Sequence, residues 1–377
     1  MTKRDTYSFR GLSRRSLLQS TAMGLSVPFV AKATKAWADE KLAGSGEVVV
    51  YSYGGSFTES VRRYVYEPFT KATGIRVVDV VADFAEPQIR AMHQAGRVDW
   101  DIGYLVPQSY PAMHEAGMFV PIDYSLWDQE SLEGTPQHAR LEDAVVIHQT
   151  AGVLAYDERA FPKGGPQNWV DFWDYKKFPG PRGLEAPLGK HTIPHALLST
   201  GIAHKDVWPL TDEKIDRAFE KLNEIKPHVV KWWTAGGEAP QLLINGEYAM
   251  TSAFDGRLTA AIRGGAPIKG IWDGAWLTRS YAVILKGGAN TTNAQKFFAF
   301  LNRAEIAAGW TQGTGYPGPN TNQLKHLPAG LIPLLSINPE NAAKIIPEDT
   351  NWLVQKRPDG KTNAEHVQER WLAWRAA

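Results

Sequence analysis

Short β-branched runs alternate with stretches of helical spacing along most of the chain. Glu47-Val48-Val49-Val50-Tyr51-Ser52 is short and β-branched, the pattern of a buried strand. Gly54-Gly55-Ser56 reads as a tight turn. Ser56 and Glu59 form an S-x-x-E capping box, which predicts a helix beginning at Phe57. Val61, Val65 and Phe69 continue that helix, Pro68 kinks or breaks it, and Gly74 stops it. A second strand follows over 75–82, a helix over 86–95 and a third strand over 101–106. Strand, helix, strand, helix, strand predicts a parallel α/β sheet.

The alternation continues beyond this unit. Residues 144–156 form an extended stretch long enough to cross from one lobe to another, and 276–285 form a second one, suited to a return crossing. Ile215, Phe219 and Leu222 place one apolar face on a helix over 212–225. Further helices are expected over 241–245 and 293–301, a strand over 248–254, and a strongly amphipathic helix over 364–374. The pattern predicts a two-lobed α/β protein with more than one crossover. Its ligand site belongs in the cleft, where strand C-termini and helix N-termini converge.

The N-terminus carries a different pattern. Ser13-Arg14-Arg15-Ser16-Leu17-Leu18 is followed by a mildly apolar stretch to Val30 and then by Ala36-Trp37-Ala38, a small-x-small cleavage site. Basic start, short apolar segment and small-residue exit are the parts of an export signal, and the paired arginines indicate the twin-arginine route. The segment is interrupted by Gln19, Ser20, Thr21, Ser26 and Pro28, too often to span a bilayer. Residues 1–38 are therefore expected to be a twin-arginine signal peptide of a periplasmic protein.

Removing that segment changes the charge. Residues 1–38 hold seven of the 41 Lys and Arg but one of the 40 Asp and Glu. The remainder has 34 basic and 39 acidic residues, net −5, which argues against a nucleic-acid or anionic-membrane partner. The chain has no cysteine, so disulfides, thiolate metal sites, Cys nucleophiles and an acylated lipoprotein anchor are excluded. Its 14 Trp, 13 Tyr and 14 Phe supply flat faces suited to ligand recognition as well as core.

Catalytic motifs are missing. There is no G-x-S-x-G, H-E-x-x-H or P-loop pattern. His191 and His195 stand four apart, but Pro194 intervenes and Lys190 beside them disfavours a cation. No metal and no cofactor are expected. The glycine turn at 54–56 follows a strand and opens a helix, so its backbone N–H groups suit either an anionic ligand group or plain chain reversal. Twin-arginine export often serves cofactor enzymes, which leaves a cofactor- or metal-dependent enzyme as the alternative. A catalyst needs an identifiable nucleophile, base or metal, and the expectation is that the chain is not an enzyme.

Several short runs together carry a family resemblance. They are Tyr51-Ser52-Tyr53, Glu67-Pro68-Phe69, Thr73-Gly74-Ile75, Trp100-Asp101-Ile102, Gly117-Met118, Gly246-Glu247, Gly265-Ala266-Pro267-Ile268 and Gly315-Tyr316-Pro317-Gly318-Pro319-Asn320. In order and spacing the chain resembles periplasmic solute-binding proteins of bacterial ABC importers, and within them the spermidine/putrescine-binding group. The resemblance implies two α/β lobes joined by hinge strands, with residues 39–150 plus 275–324 in lobe 1 and 151–274 plus 325–377 in lobe 2. It implies a monomer that serves a permease and its ATPase at the inner membrane.

The site residues transfer unevenly. Tyr53, Phe254, Trp276 and Tyr316 fall at positions of the family's aromatic box, which holds an alkyl chain by burial and an ammonium by cation–π attraction of roughly 0.5–2 kcal/mol each. The family's key acid, two residues after the cleft tryptophan, falls at Thr278, followed by Arg279. Other expected acids fall near Leu188 and His191, with Lys190 between. A buried ammonium needs a carboxylate, so the pattern favours a zwitterionic or anionic solute, such as an amino-acid derivative or opine-like compound, over a diamine. Arg279 or Arg257 would grip its acid group and Asp255 its amine. Gly55, Ser56, Gln108 and His191 complete the expected ligand set.

Overall fold

A computed structural model describes residues 41–82 and 84–377. The expected export signal lies outside the described residues. Among the described residues, nine strands form one sheet: β1 (Glu47–Ser52), β2 (Arg76–Val81), β3 (Ile102–Leu105), β4 (Ala144–Asp157), β5 (Arg182–Glu185), β6 (Val229–Trp233), β7 (Met250–Phe254), β8 (Ile268–Ile284) and β9 (Ile346–Pro347). Their order is β2-β1-β3-β8-β4-β7-β5-β6, with β9 paired to β8.

β1 pairs in parallel with β2 and β3, as the opening alternation predicts. β5 pairs in parallel with β6 and β7. The antiparallel pair β4–β8 joins these two groups, running from Ala144 opposite Val283 to Asp157 opposite Ile268. One end of β8 pairs with β3, and the far end of β4 pairs with β7. The two long strands are thus shared by both halves of the molecule. Register shifts interrupt the pair between Val146 and His148 and between Gly152 and Leu154, and such bulges bend a strand pair.

Each half has its own core. One gathers Val48, Val50, Phe69, Ile102, Val283 and Phe297. The other gathers Leu154, Trp169, Leu184, Leu222 and Trp371, beside a smaller cluster around Val153, Trp233 and Leu243. The architecture is the expected two-lobed α/β fold, with the crossing strands where the extended segments predict them.

Three local expectations change. The first helix starts at Gly55, with Gly54 at its cap position and no side-chain capping bond there. Gly54 has φ +78°, which a glycine adopts without strain. Nor is the helix broken at Pro68: a π-helical turn, Arg62–Tyr66, lies between Gly55–Val61 and Glu67–Thr73. Glu67 N–H bonds to Arg62 O, five residues back. Proline lacks an N–H and its ring crowds the carbonyl four residues earlier, and the wider turn relieves that crowding. The C-terminal helix Asn363–Ala376 has its capping box, Thr362 with Glu365, but its apolar residues do not share one stripe. Val367 and Trp371 are buried while Leu372 is 54% exposed.

Candidate functional site

Strand ends bring the site together. Tyr53 follows β1, Gln108 lies just beyond β3, and β5 ends in Glu185 shortly before the helix Gly189–Leu198 that carries Lys190 and His191. β7 ends in Phe254, and the helix Asp255–Arg263 starts with the next residue.

Charge is balanced in a buried cluster. The Glu348 side chain is 1% exposed and accepts from Lys190 Nζ at 2.8 and 3.0 Å. His191 Nε2 lies 3.2 Å from it, and Gln108 Nε2 donates to it at 3.1 Å. His191 Nδ1 stands 3.0 Å from both oxygens of Glu185. Burial alone would raise the Glu348 carboxyl and lower the His191 imidazole. The Lys190 ammonium and His191 overcome this at Glu348, held down at about 2. Glu185 and Glu348 overcome it at His191, which is raised. Carboxylates on both ring nitrogens favour the imidazolium. Lys190 and His191, which the sequence presents as unmatched cations, are thus each matched by an acid.

The expected box residues form two ring groups. His191 stacks on Trp276 with centroids 3.8 Å apart, and Phe254 meets Trp276 edge-on at 5.9 Å. Tyr53 and Tyr316 both approach His148, at 6.2 and 5.8 Å. Trp276 is buried, whereas Tyr53 is 42% exposed. Gly152 sits opposite Trp276 across β4–β8, and a Cβ there would overlap the indole. Gly256 gives the Tyr316 ring the same clearance. Burial lowers the His148 imidazole to about 4, so it is neutral at pH 7.

Asp255 is buried. Its Oδ1 accepts from Ala151 N at 3.0 Å, while Oδ2 has no partner. Burial pushes its carboxyl up to about 7, against the opposing pull of the Ala151 and Gly256 N–H groups. The Tyr316 hydroxyl is raised to about 12, by burial and then by Asp255, with Arg257 pulling the other way. Arg257 itself is exposed. Thr278 Oγ1 is also buried and without a partner. Gly54 N–H is taken by Thr58 Oγ1 at 2.9 Å, so the glycine turn is partly satisfied from within.

Arg279 is placed elsewhere. Successive residues of a strand point to opposite faces, so Arg279 faces away from Trp276 and Thr278. It lines a separate cavity with Gln149 and His138. His195 also parts from His191: its ring stacks on Trp169 at 3.6 Å. Among the described residues, no group of three His, Asp or Glu could hold a metal, and no helix is long and apolar enough to cross a membrane.

Sequence reasoning missed Glu185, Glu348 and His148. Glu185 ends a strand buried at every position, and a charge in such a run is a readable signal. Glu348 has no local signal. It reaches the site because the two-residue β9 pairs with Trp276 and Leu277, and its N–H bonds to Leu277 O at 2.9 Å.

Two α/β halves that share their crossing strands, with rings and buried ion pairs gathered at strand ends between them, define a two-lobed binding protein. Residues 65–327 match the model of the bacterial extracellular solute-binding proteins, and the chain belongs to that family. It is similar to the γ-aminobutyric acid-binding protein of Pseudomonas aeruginosa, with 28% identity over 90% of this chain and 94% of that protein. It is also similar to the spermidine/putrescine-binding periplasmic protein of Escherichia coli, with 24% identity over 71% of this chain and 77% of that one. A solved ABC transporter structure from Rhodopseudomonas palustris has 32% identity and a TM-score of 0.73, covering 87% of this chain and 99% of that chain.

Proposed function

We propose that this chain is the substrate-binding component of an ABC importer, taking a small zwitterionic amino-acid derivative to a membrane permease driven by an ATPase. The carrying observation is the balanced cluster of Glu185, His191, Lys190 and Glu348. With its two acids and two bases matched, the cleft has neither the surplus of acid a diamine needs nor the surplus of base a dianion needs. A solute carrying one charge of each sign suits it. The relative with the broader match is named for γ-aminobutyric acid, itself a zwitterion. Both curated relatives are named as binding proteins, and the reading of an exported enzyme gains nothing from them.

In this reading the lobes are 39–150 plus 275–324 and 151–274 plus 325–377, hinged on β4 and β8. Trp276, Phe254, Tyr53 and Tyr316 enclose the methylene segment. Asp255 Oδ2 takes the amine. Arg257 takes the carboxylate through its planar fork. Thr278 Oγ1, Gln108 and the turn at Gly55 and Ser56 supply the remaining polar contacts, and His191 backs Trp276. Export from Arg14-Arg15 by the twin-arginine route delivers the monomer to the periplasm.

The test is thermal shift and calorimetry against γ-aminobutyrate and longer amino-acid conjugates, beside putrescine and spermidine. A ligand that binds only the native state at a hundred times its Kd stabilises by about 2.7 kcal/mol. Stabilisation by the zwitterions is expected. Stabilisation by putrescine or spermidine alone would sink the proposal.

A further inference from the structure

Behind the crossing strands lies a cavity that the cleft does not use. Arg279 and Gln149 stand opposite each other across β4–β8 and line a space of about 190 Å³ together with His138 and Ser336. Aliphatic side chains such as Leu277 and Ile345 form part of its wall. It is smaller than the roughly 300 Å³ of an ordinary small-molecule pocket, a size that suits an ion.

Each of its polar side chains can donate a hydrogen bond, and Arg279 can only donate. None of its lining side chains is acidic. Arg279 has no carboxylate partner among the described residues, and Tyr281 is the one opposing influence as burial lowers its guanidinium. Ser336 is 4% exposed and its Oγ has no hydrogen-bond partner. Outside the strand pair, the Gln149 backbone N–H donates to Pro317 O at 2.9 Å. Arg279 is half-buried, and removing a guanidinium from water with no counter-charge is costly; a planar fork beside an amide and a hydroxyl is the donor set an oxyanion recruits.

We propose that this cavity is a second binding site, separate from the cleft, for a small oxyanion: phosphate, sulfate or the carboxylate of a small acid. The Arg279 fork holds it, with the Gln149 amide and the Ser336 hydroxyl completing its shell. Bound there, the anion ties the 136–139 segment and the 336–347 segment to the back of the crossing strands.

The experiment starts from protein dialysed into chloride buffer. Phosphate, sulfate and acetate are each titrated at matched ionic strength, read by calorimetry and by thermal shift. The expected result is saturable binding of at least one of them, weaker by about tenfold or more in Arg279→Gln, as befits a lost charge-assisted hydrogen bond. Arg279→Lys, which keeps the charge and loses the fork, falls between. Arg257→Gln, in the cleft, keeps the anion affinity within about twofold. Absence of saturable binding by the unsubstituted protein for all three anions overturns the proposal, whatever the variants do. So does equal affinity in Arg279→Gln, or a loss confined to Arg257→Gln, which would place the anion in the cleft. Zwitterion binding is measured separately, so failure here leaves the cleft reading standing and the reverse holds too.

Discussion

Glu348 keeps a full charge inside the protein because the Lys190 ammonium and the Gln108 amide donate to it and the His191 ring pairs with it. Removing one member of a buried ionic group strands the others. Glu348→Gln should therefore lower the unfolding free energy at pH 7 by roughly 3–5 kcal/mol, measured by urea denaturation. A loss below about 1 kcal/mol would show the cluster to be solvated. Asp255 gives the opposite kind of dependence. Its carboxyl rises from an ordinary value of 3.8 to about 7 on folding, so the native state holds its proton more tightly than the unfolded chain. Stability from this group is present below the ordinary value and is lost as pH rises from about 4 through 7, by at most a factor of ten in the folding equilibrium per pH unit. Denaturation of Asp255→Asn across that range should lack this decline. Parallel pH profiles for the two proteins would refute the assignment.

At the scale of elements, the β4–β8 pair sorts the chemistry by alternation. Trp276 and Thr278 face the cleft while Leu277 and Arg279 face the cavity behind it. The Trp276 ring lies over Gly152 of the neighbouring strand. Gly152→Ala should therefore push the indole off His191, with little change in far-UV circular dichroism and at least about a tenfold loss of solute affinity, the scale of one aromatic contact in a recognition site. Unchanged affinity with a displaced tryptophan emission maximum would remove Trp276 from the binding role. The first helix teaches a related lesson: Pro68 acts on the turn before it, where its missing donor and its ring are absorbed by the π turn at Arg62–Tyr66.

Across the whole molecule, Gln108 reaches from beyond β3 to Glu348 beside β9. In the proposed division these residues belong to different lobes, so this hydrogen bond spans the cleft. Breaking it shifts the population toward separation of the lobes. Small-angle scattering of ligand-free Gln108→Leu should give a larger radius of gyration than the unsubstituted protein, with the difference abolished by saturating solute. Equal radii would mean that the bond does not hold the lobes.

Local pattern was enough for the alternation β1 to β3, the helix Asp212–Ile225, the two crossing strands and the glycine stop at Gly74. Periodicity, capping and turn chemistry act within a few residues, and the sequence displays them directly. The rings at 53, 254, 276 and 316 came from the family resemblance, and the fold gathers them in two groups. Charge balance was not. Lys190 and His191 are neighbours in sequence, but the acids that neutralise them include one 158 residues from Lys190, delivered by a two-residue strand too short to carry a pattern. Which way Arg279 points was also undetermined, because the face of each residue follows from where the bulges at Val146/His148 and Gly152/Leu154 fall. The sequence determined the elements and the residue types available to the site. Tertiary structure decided which charges meet and which face of β8 looks into the cleft, since burial and pairing between distant segments set both.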